Sequence, residues 1–323
     1  MTLKTAFVFP GQGAQTVGMG VSLLEAYPQW VEPIYAVADA VIGTLEDGRA
    51  FRQAFLNGPA DVLQQTRYTQ PALLAVSLAA WQVFNALTQN QVHPVVTAGH
   101  SLGEYAAMVA SQALTTEDVI NLGKIRAQLM HSAKQGAMAA VLGLPALKVE
   151  HALLTLDAAL GPVVIANDNS AEQQVISGTP TAVAAAADVL KAAGAKRVLP
   201  LPVGGAFHSP LMAEAALDYE TLIKGATFNT ATPPVIMNVD AQPTHEPAEL
   251  CRKLALQMPS PVRWRETMQT MIETLGVNCV IEFGPGNVLT GLVKRAYPDV
   301  KLLNVSDAAS AKAAAESFSL ANV

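Results

Sequence analysis

The stretch PVVTAGHSLGEYAAMVAS, residues 94–111, limits the possible folds of this chain more than any other. An apolar, valine-rich run reaches Gly99, and an alanine-rich run follows Gly103. A strand that passes into a helix through so tight a turn belongs to an α/β architecture with a mostly parallel sheet. Gly99 and Gly103 stand two residues either side of Ser101. They allow strand and helix to pack closely around a strained turn that lifts the serine hydroxyl out of the sheet. The free N–H groups at the helix start would then favour a developing anion there. Ser101 is therefore a candidate nucleophile. The alternative is that it merely caps the helix.

The rest of the chain agrees with α/β. Short β-rich runs occur at 5–10, 94–99, 138–144, 162–167, 173–178, 196–201, 233–239, 278–283 and 300–305. Helical stretches are predicted at 72–87, 103–111, 116–131, 145–156, 180–193, 209–223 and 287–297. From about 133 to 204 the order is strand, helix, strand, strand, helix, strand, the βαββαβ signature of a ferredoxin-like unit. Its two middle strands flank a turn-rich NDNSAE segment, 167–172. The expected organisation is a large domain built from 1–132 and 205–323, with helices on both faces of its sheet. A small ferredoxin-like domain, 133–204, is inserted into it. The Ala/Ser-rich tail from Asp307 onward reads as a surface helix or as frayed chain.

Composition narrows the function. The 323 residues are 51% hydrophobic and 14% charged, so the chain is globular. Apolar runs such as PALLAVSLAAW, 71–81, have the length of a buried helix, short of a membrane span. No signal-peptide pattern opens the sequence. Cys251 and Cys279 have neither CxxC spacing nor paired histidines, so neither a disulfide framework nor a metal site is expected; a reducing cytoplasm is the natural setting. A net charge of −6 without a basic run argues against nucleic acid. RWRE (263–266) and VKRAY (293–297) could form a local basic face for an acidic partner.

A nucleophilic serine needs a base, and there are six histidines. His100 adjoins Ser101 and its side chain should point away from it, as a structural neighbour of the turn. His93, His131, His151 and His245 sit in polar or helical surroundings and read as solvated. His208, in LPVGGAFHSPLM, follows a strand and a Gly-Gly pair and precedes a helix start, a placement suited to a general base or to an ordinary loop histidine. The acids between serine and histidine, apart from those in the helices just after the turn, are Glu150, Asp157, Asp168, Glu172 and Asp188. All fall in the small domain, so a Ser–His dyad, with the imidazole oriented by the main chain, fits better than a triad. The glycine segment FVFPGQGAQTVGMG, 7–20, lacks both GxGxxG spacing and a Gly-Lys-Ser/Thr triplet. It could instead offer the Gln12 N–H beside that of Leu102 as an oxyanion hole. Arg126 lies on a helix that can bring it over the site, where a guanidinium holds a carboxylate by two parallel hydrogen bonds.

These segments together resemble the malonyl-CoA:acyl carrier protein transacylases of fatty acid synthesis and the acyltransferase domains of polyketide synthases. FPGQGAQ, TRYTQPALLA, GHSLGEYAA, IRAQLM, ANDNSAEQQVISG, GAFHSPLM, SPVRW and EFGPGNVLTGLVKR look like that family's blocks, in its order and over nearly the whole chain. The resemblance implies a hydrolase-like α/β domain with an inserted ferredoxin-like one. It implies Ser101 as the acylated nucleophile, His208 as general base, and Arg126 as the grip on the malonyl carboxylate. Gln12 and Leu102 would supply the oxyanion amides, and the backbone of Gln257 would orient the histidine. Phe207, in the AFH form, would fill the space an α-methyl group needs. Ala14 stands where many members have Ser, and Ala171 where Pro is common.

The implied activity is transfer of malonyl from malonyl-CoA to the phosphopantetheine thiol of an acyl carrier protein through a malonyl-serine. No cofactor, metal, membrane or nucleic acid is expected, and a monomer is the default. The alternatives are a serine esterase or thioesterase, a free-standing acyltransferase of a polyketide synthase, a malonyl transferase of a malonate decarboxylase, and a non-catalytic carrier-binding relative.

Overall fold

The computed structural model describes residues 3–133 and 136–319. Among the described residues ten strands form two sheets. The larger sheet contains β1 (Thr5–Phe9), β2 (Val96–Gly99), β7 (Val235–Met237), β8 (Gln242–Thr244), β9 (Cys279–Phe283) and β10 (Lys301–Val305) in the order β10-β9-β1-β2-β7-β8. All its pairings are parallel except β7 with β8. The smaller sheet is antiparallel, with β3 (Ala137–Leu142), β4 (Val163–Ser170), β5 (Gln173–Gly178) and β6 (Arg197–Pro200) in the order β4-β5-β3-β6. That order belongs to the ferredoxin-like βαββαβ arrangement. Within the expected domain ranges, residues 1–2, 134–135 and 320–323 lie outside the described residues.

The period of two along each central strand explains why the large sheet is covered on both faces. Phe7 and Phe9 enter one hydrophobic core with Ile281 and Phe283, while Ala6 and Val8 enter another with Val96, Ala98 and Val280. Every residue of β1, β2 and β9 is buried, as a parallel sheet between helix layers requires. Phe283 anchors the first core, with ring centroids 4.9 Å from Phe7, 5.6 Å from Phe9 and 5.3 Å from Phe84. The Phe7 and Phe84 pairs are edge-on and the Phe9 pair is stacked, and aromatic pairs of either kind contribute about 1 kcal/mol each beyond their buried area.

The nine predicted strands are present, with ends moved by a few residues. β4 runs on through Asn167, Asp168 and Asn169, so the turn before β5 is only Ala171–Glu172. Asn and Asp read as turn residues, but β-bulges accommodate them in this strand. β8 went unread because a three-residue Gln-Pro-Thr strand carries no apolar period. The helices Pro28–Ile42 and Pro247–Leu256 lie outside the predicted helical stretches, and Ala308–Ser319 is a helix in the tail where surface helix or frayed chain is expected.

The central helix runs from Thr66 to Leu87, not from 72. Proline ordinarily ends a helix, yet Pro71 lies inside this one because Tyr68, Thr69 and Gln70 are buried with it. The Thr69 hydroxyl also donates to the Leu63 carbonyl at 2.6 Å. At 22 residues this helix is long and apolar enough to cross a bilayer, contrary to the length read from sequence. Some 78% of its apolar window is buried inside the fold, so it is a core helix.

The parallel strands bring the ends of β1, β2 and β7 to one edge of the sheet. Segment 260–265 closes the smaller sheet over that edge. Val262 donates to the Ala166 carbonyl at 2.8 Å and accepts from the Asp168 N–H at 3.0 Å. Arg265 reaches Asp168 at 2.8 Å.

Candidate active site

Ser101 occupies the turn between β2 and the helix Gly103–Ala110 with φ +51, a left-handed conformation that few side-chain-bearing residues adopt. The two glycines make the turn possible. A Cβ on Gly99 would lie 1.8 Å from the Gly103 carbonyl carbon, and one on Gly103 would lie 2.0 Å from the Phe9 oxygen. Asn238, just beyond β7, pins the turn from the side. Its Oδ1 accepts from the Ser101 N–H at 2.7 Å, and its Nδ2 donates to the Gly99 carbonyl at 2.7 Å. No side chain caps the helix, so Ser101 does not serve as its N-cap.

The serine hydroxyl instead meets His208 and Arg126. His208 Nε2 is 2.7 Å from Ser101 Oγ. Its Nδ1 faces the carbonyls of Gln257 at 3.2 Å and Ser260 at 3.0 Å. Carbonyls only accept, so Nδ1 carries the proton and Nε2 is left to accept from the serine. Burial first, and then the Arg126 charge, hold the imidazole down at about 3, so it is neutral at ordinary pH. None of the acids Glu150, Asp157, Asp168, Glu172 and Asp188 reaches it; two main-chain carbonyls stand where a triad would place a carboxylate.

Arg126, from the helix Thr116–Ser132, is 1% exposed. Its Nη2 donates to Ser101 Oγ at 2.9 Å, its Nη1 to Gln70 Oε1 at 2.8 Å, and Nε and Nη2 to Gln257 Oε1 at 3.2 and 2.9 Å. The guanidinium carbon stands 5.8 Å from the Tyr105 ring centre. Among the described residues no carboxylate forms an ion pair with it. A buried guanidinium held only by neutral acceptors is poised for an anion.

A cavity of about 260 Å³ opens onto these groups. Pro10, Gly11, Gln12 and Ser101 line it from the large sheet; Asn167, Asn169, Val175 and Leu201 line it from the small one. Met130, Met138, Phe207 and Leu289 add apolar surface. The first glycine loop comes close enough that a Cβ on Gly11 would lie 2.5 Å from the His100 oxygen. Among the described residues, the N–H groups of Gln12 and Leu102 have no protein acceptor. The Gln12 side chain is held by Thr66 at 3.3 Å and Gln70 at 3.4 Å.

His100 turns away from Ser101. Its Nε2 meets Asn169 Oδ1 at 2.8 Å, and its ring packs 5.6 Å from that of Trp264. His93, His131, His151 and His245 are absent from the cavity wall, although His131 is half-buried. Sequence reasoning assigned nothing to Gln70, Glu104, Asn238, Asn169 or Ser260. Gln70, Glu104, Asn169 and Ser260 lie within segments already singled out, but the sequence does not show which way their side chains or carbonyls face.

Residues 6–316 match the family described as acyl transferase domain. The chain belongs to this acyltransferase family. A malonyl CoA-acyl carrier protein transacylase of Haemophilus influenzae is 42% identical over 317 residues, covering 97% of this chain and 98% of that one. An acyl carrier protein S-malonyltransferase of Vibrio cholerae has a crystal structure that superposes with a TM-score of 0.89 at 41% identity, covering 96% of this chain and 99% of that one. A malonyl-transacylase in complex with its type II PKS acyl-carrier protein superposes with a TM-score of 0.91 at 38% identity, covering 97% and 99%. As an acyltransferase, the chain holds its histidine and its arginine each within hydrogen-bonding distance of its serine, beside one cavity.

Proposed function

We propose that this acyltransferase moves a malonyl group from malonyl-CoA to the phosphopantetheine thiol of an acyl carrier protein, in two steps through a malonyl-serine. The observation that carries this reading is the buried Arg126 guanidinium, unpaired with any described carboxylate and 2.9 Å from Ser101 Oγ. An acyl group attached to Ser101 and ending in a carboxylate would place its charge beside that cation. The carboxylate would gain two charge-assisted hydrogen bonds that an acetyl group cannot make.

In the first step Ser101 Oγ attacks the thioester carbonyl while its proton passes to His208 Nε2. The Gln12 and Leu102 N–H groups receive the oxyanion, each donor contributing about 3 kcal/mol in comparable sites. The C–S bond then breaks, and the imidazolium protonates the departing CoA thiolate. In the second step His208 takes the proton of the pantetheine thiol, and the sulfur attacks the malonyl ester. The tetrahedral intermediate collapses with return of a proton to Ser101 Oγ. The Gln257 and Ser260 carbonyls accept from Nδ1–H throughout and steady the imidazolium, the work a carboxylate does in a triad. Phe207 lies on the cavity wall, where its ring would crowd an α-branched acyl group. These steps use only side chains, main-chain amides and two thiols, and we assign the protein no metal or redox cofactor. The two free thiols, Cys251 and Cys279, fit the reducing cytoplasm we propose as its setting, working as a monomer.

Brief mixing with malonyl-CoA, without carrier, followed by intact-protein mass measurement tests this reading. A malonyl mass increase on the wild type and none on Ser101→Ala is expected. Steady CoA release without an adduct would point instead to an esterase or thioesterase. Neither adduct nor release would mean another donor, or a protein that only binds.

A further inference from the structure

Glu104 is a buried carboxyl that the mechanism above leaves unused. It lies in the first turn of the helix Gly103–Ala110 and is fully inaccessible to solvent. Its Oε1 accepts from the Asn238 N–H and its Oε2 from Gln257 Nε2. Both oxygens therefore face donors. Burial works to raise the pKa of this carboxyl, while the two N–H groups and the Arg126 charge favour its ionised form. With a donor on each oxygen, a proton on either would face an N–H, so the geometry is that of a carboxylate.

The Gln257 amide connects this carboxyl to the reacting groups. Its Nε2 also donates to the Ser101 carbonyl at 2.8 Å, while its Oε1 accepts from Arg126 at 2.9 and 3.2 Å. Its own carbonyl oxygen faces His208 Nδ1. A half-turn of the amide would aim an NH2 at the guanidinium and an oxygen at two other oxygens. The present orientation holds Arg126 Nη2 against Ser101 Oγ.

We infer that Glu104 is a positioning residue for acyl-group selection: it locks the Gln257 amide so that Arg126 presents its guanidinium to a carboxylated acyl group on Ser101. The inference rests on the malonyl reading above. In Glu104→Gln the side chain has one accepting oxygen for two donors, so either Asn238 or Gln257 loses its partner. Loss at Asn238 loosens the serine turn and slows every acyl donor alike. Loss at Gln257 frees the arginine and slows the carboxylated donor alone.

The test is the ratio of kcat/KM for malonyl-CoA to that for acetyl-CoA in Ser101 acylation, measured on the full chain as wild type, Glu104→Gln, Arg126→Ala and the double variant. The ratio in Glu104→Gln is expected to fall about tenfold, the size of one lost hydrogen bond to a charged group. In the Arg126→Ala background, adding Glu104→Gln is expected to leave the ratio unchanged, since both act through one chain of contacts. A wild type that takes neither donor onto Ser101 overturns the malonyl reading and this inference with it. A wild type that takes malonyl, with a Glu104→Gln ratio that is unchanged or raised, overturns only the role of Glu104. So does an equal further fall in the double variant. Should Glu104→Gln fail to fold, Glu104→Asp replaces it. Its carboxylate falls one methylene short of Gln257, the same loss of ratio is expected, and an unchanged ratio overturns the inference.

Discussion

At the scale of the residue, a few buried polar atoms decide what the site can do. Arg126 has only neutral acceptors, so its contribution depends on the acyl group it meets. Arg126→Ala is expected to slow malonyl transfer by at least about a hundredfold, since two charge-assisted hydrogen bonds are lost, and acetyl transfer by less than about tenfold. Parallel rate measurements with the two CoA thioesters check this, and equal losses would remove the clamp role. His208 is held far below the ordinary 6.5 by burial and by the Arg126 charge. A base with a depressed pKa stays unprotonated, so the acid limb of kcat/KM for malonyl-CoA is expected below pH 6.5. Stability has the matching sign. Between 6.5 and about 3 the unfolded chain binds a proton at this position that the folded chain does not, so His208 lowers stability progressively as pH falls through that window. An acid limb at or above 6.5 would mean that the imidazole is more solvated than its surroundings indicate.

At the scale of the element, the strand–turn–helix unit works because two backbone segments touch where a side chain would stand. Ser101 lies at φ +51 between Gly99 and Gly103, and Asn238 ties the turn to the end of β7. The atoms facing an added Cβ at Gly99 are main-chain atoms of the helix, which cannot step aside singly. Gly99→Ala is expected to cost about 3 kcal/mol or more in denaturant unfolding and to abolish acylation. Gly204→Ala serves as the control. Nothing lies within 4 Å of its added Cβ, so its unfolding free energy should stay within about 0.5 kcal/mol of the wild type. A well-tolerated Gly99→Ala would show that strand and helix can separate without losing the site.

At the scale of the whole molecule, the cavity belongs to neither sheet alone. The large sheet supplies the serine turn and the first glycine loop, and the small sheet supplies Asn167, Asn169, Val175 and Leu201. The two are joined by the pairing of Val262 with β4, by Asn169 against His100, and by Arg265 on Asp168. Arg265 is partly exposed, and an ion pair of that kind contributes under about 1 kcal/mol. Arg265→Ala should therefore leave the melting temperature nearly unchanged. It should raise KM for malonyl-CoA a few-fold at constant kcat, because the small sheet then sits less firmly over the cavity. Steady-state kinetics beside a thermal melt separate these, and a large drop in melting temperature would make the contact structural.

Much of this protein is legible in its sequence because the relevant information is local. The β-rich apolar runs TAFVFP and NCVIEF, the turn GHSLGEY and the βαββαβ order of the small sheet each follow from neighbouring residues. From them come the architecture, the candidate serine and the family. Pro71 misleads for the same reason: its local preference ends a helix, and only burial of the turn before it keeps the helix intact. The tertiary structure decides which distant groups converge. Glu104 and Gln257 are 153 residues apart, as are no two groups within a sequence motif, and they meet over a single hydrogen bond. Ser260 and Gln257 take the place of an acid at His208 through carbonyls that every residue possesses, so residue type marks neither; the family resemblance points to Gln257, and nothing points to the Ser260 carbonyl. A main-chain oxygen or an amide's orientation becomes a chemical feature only once packing has aimed it.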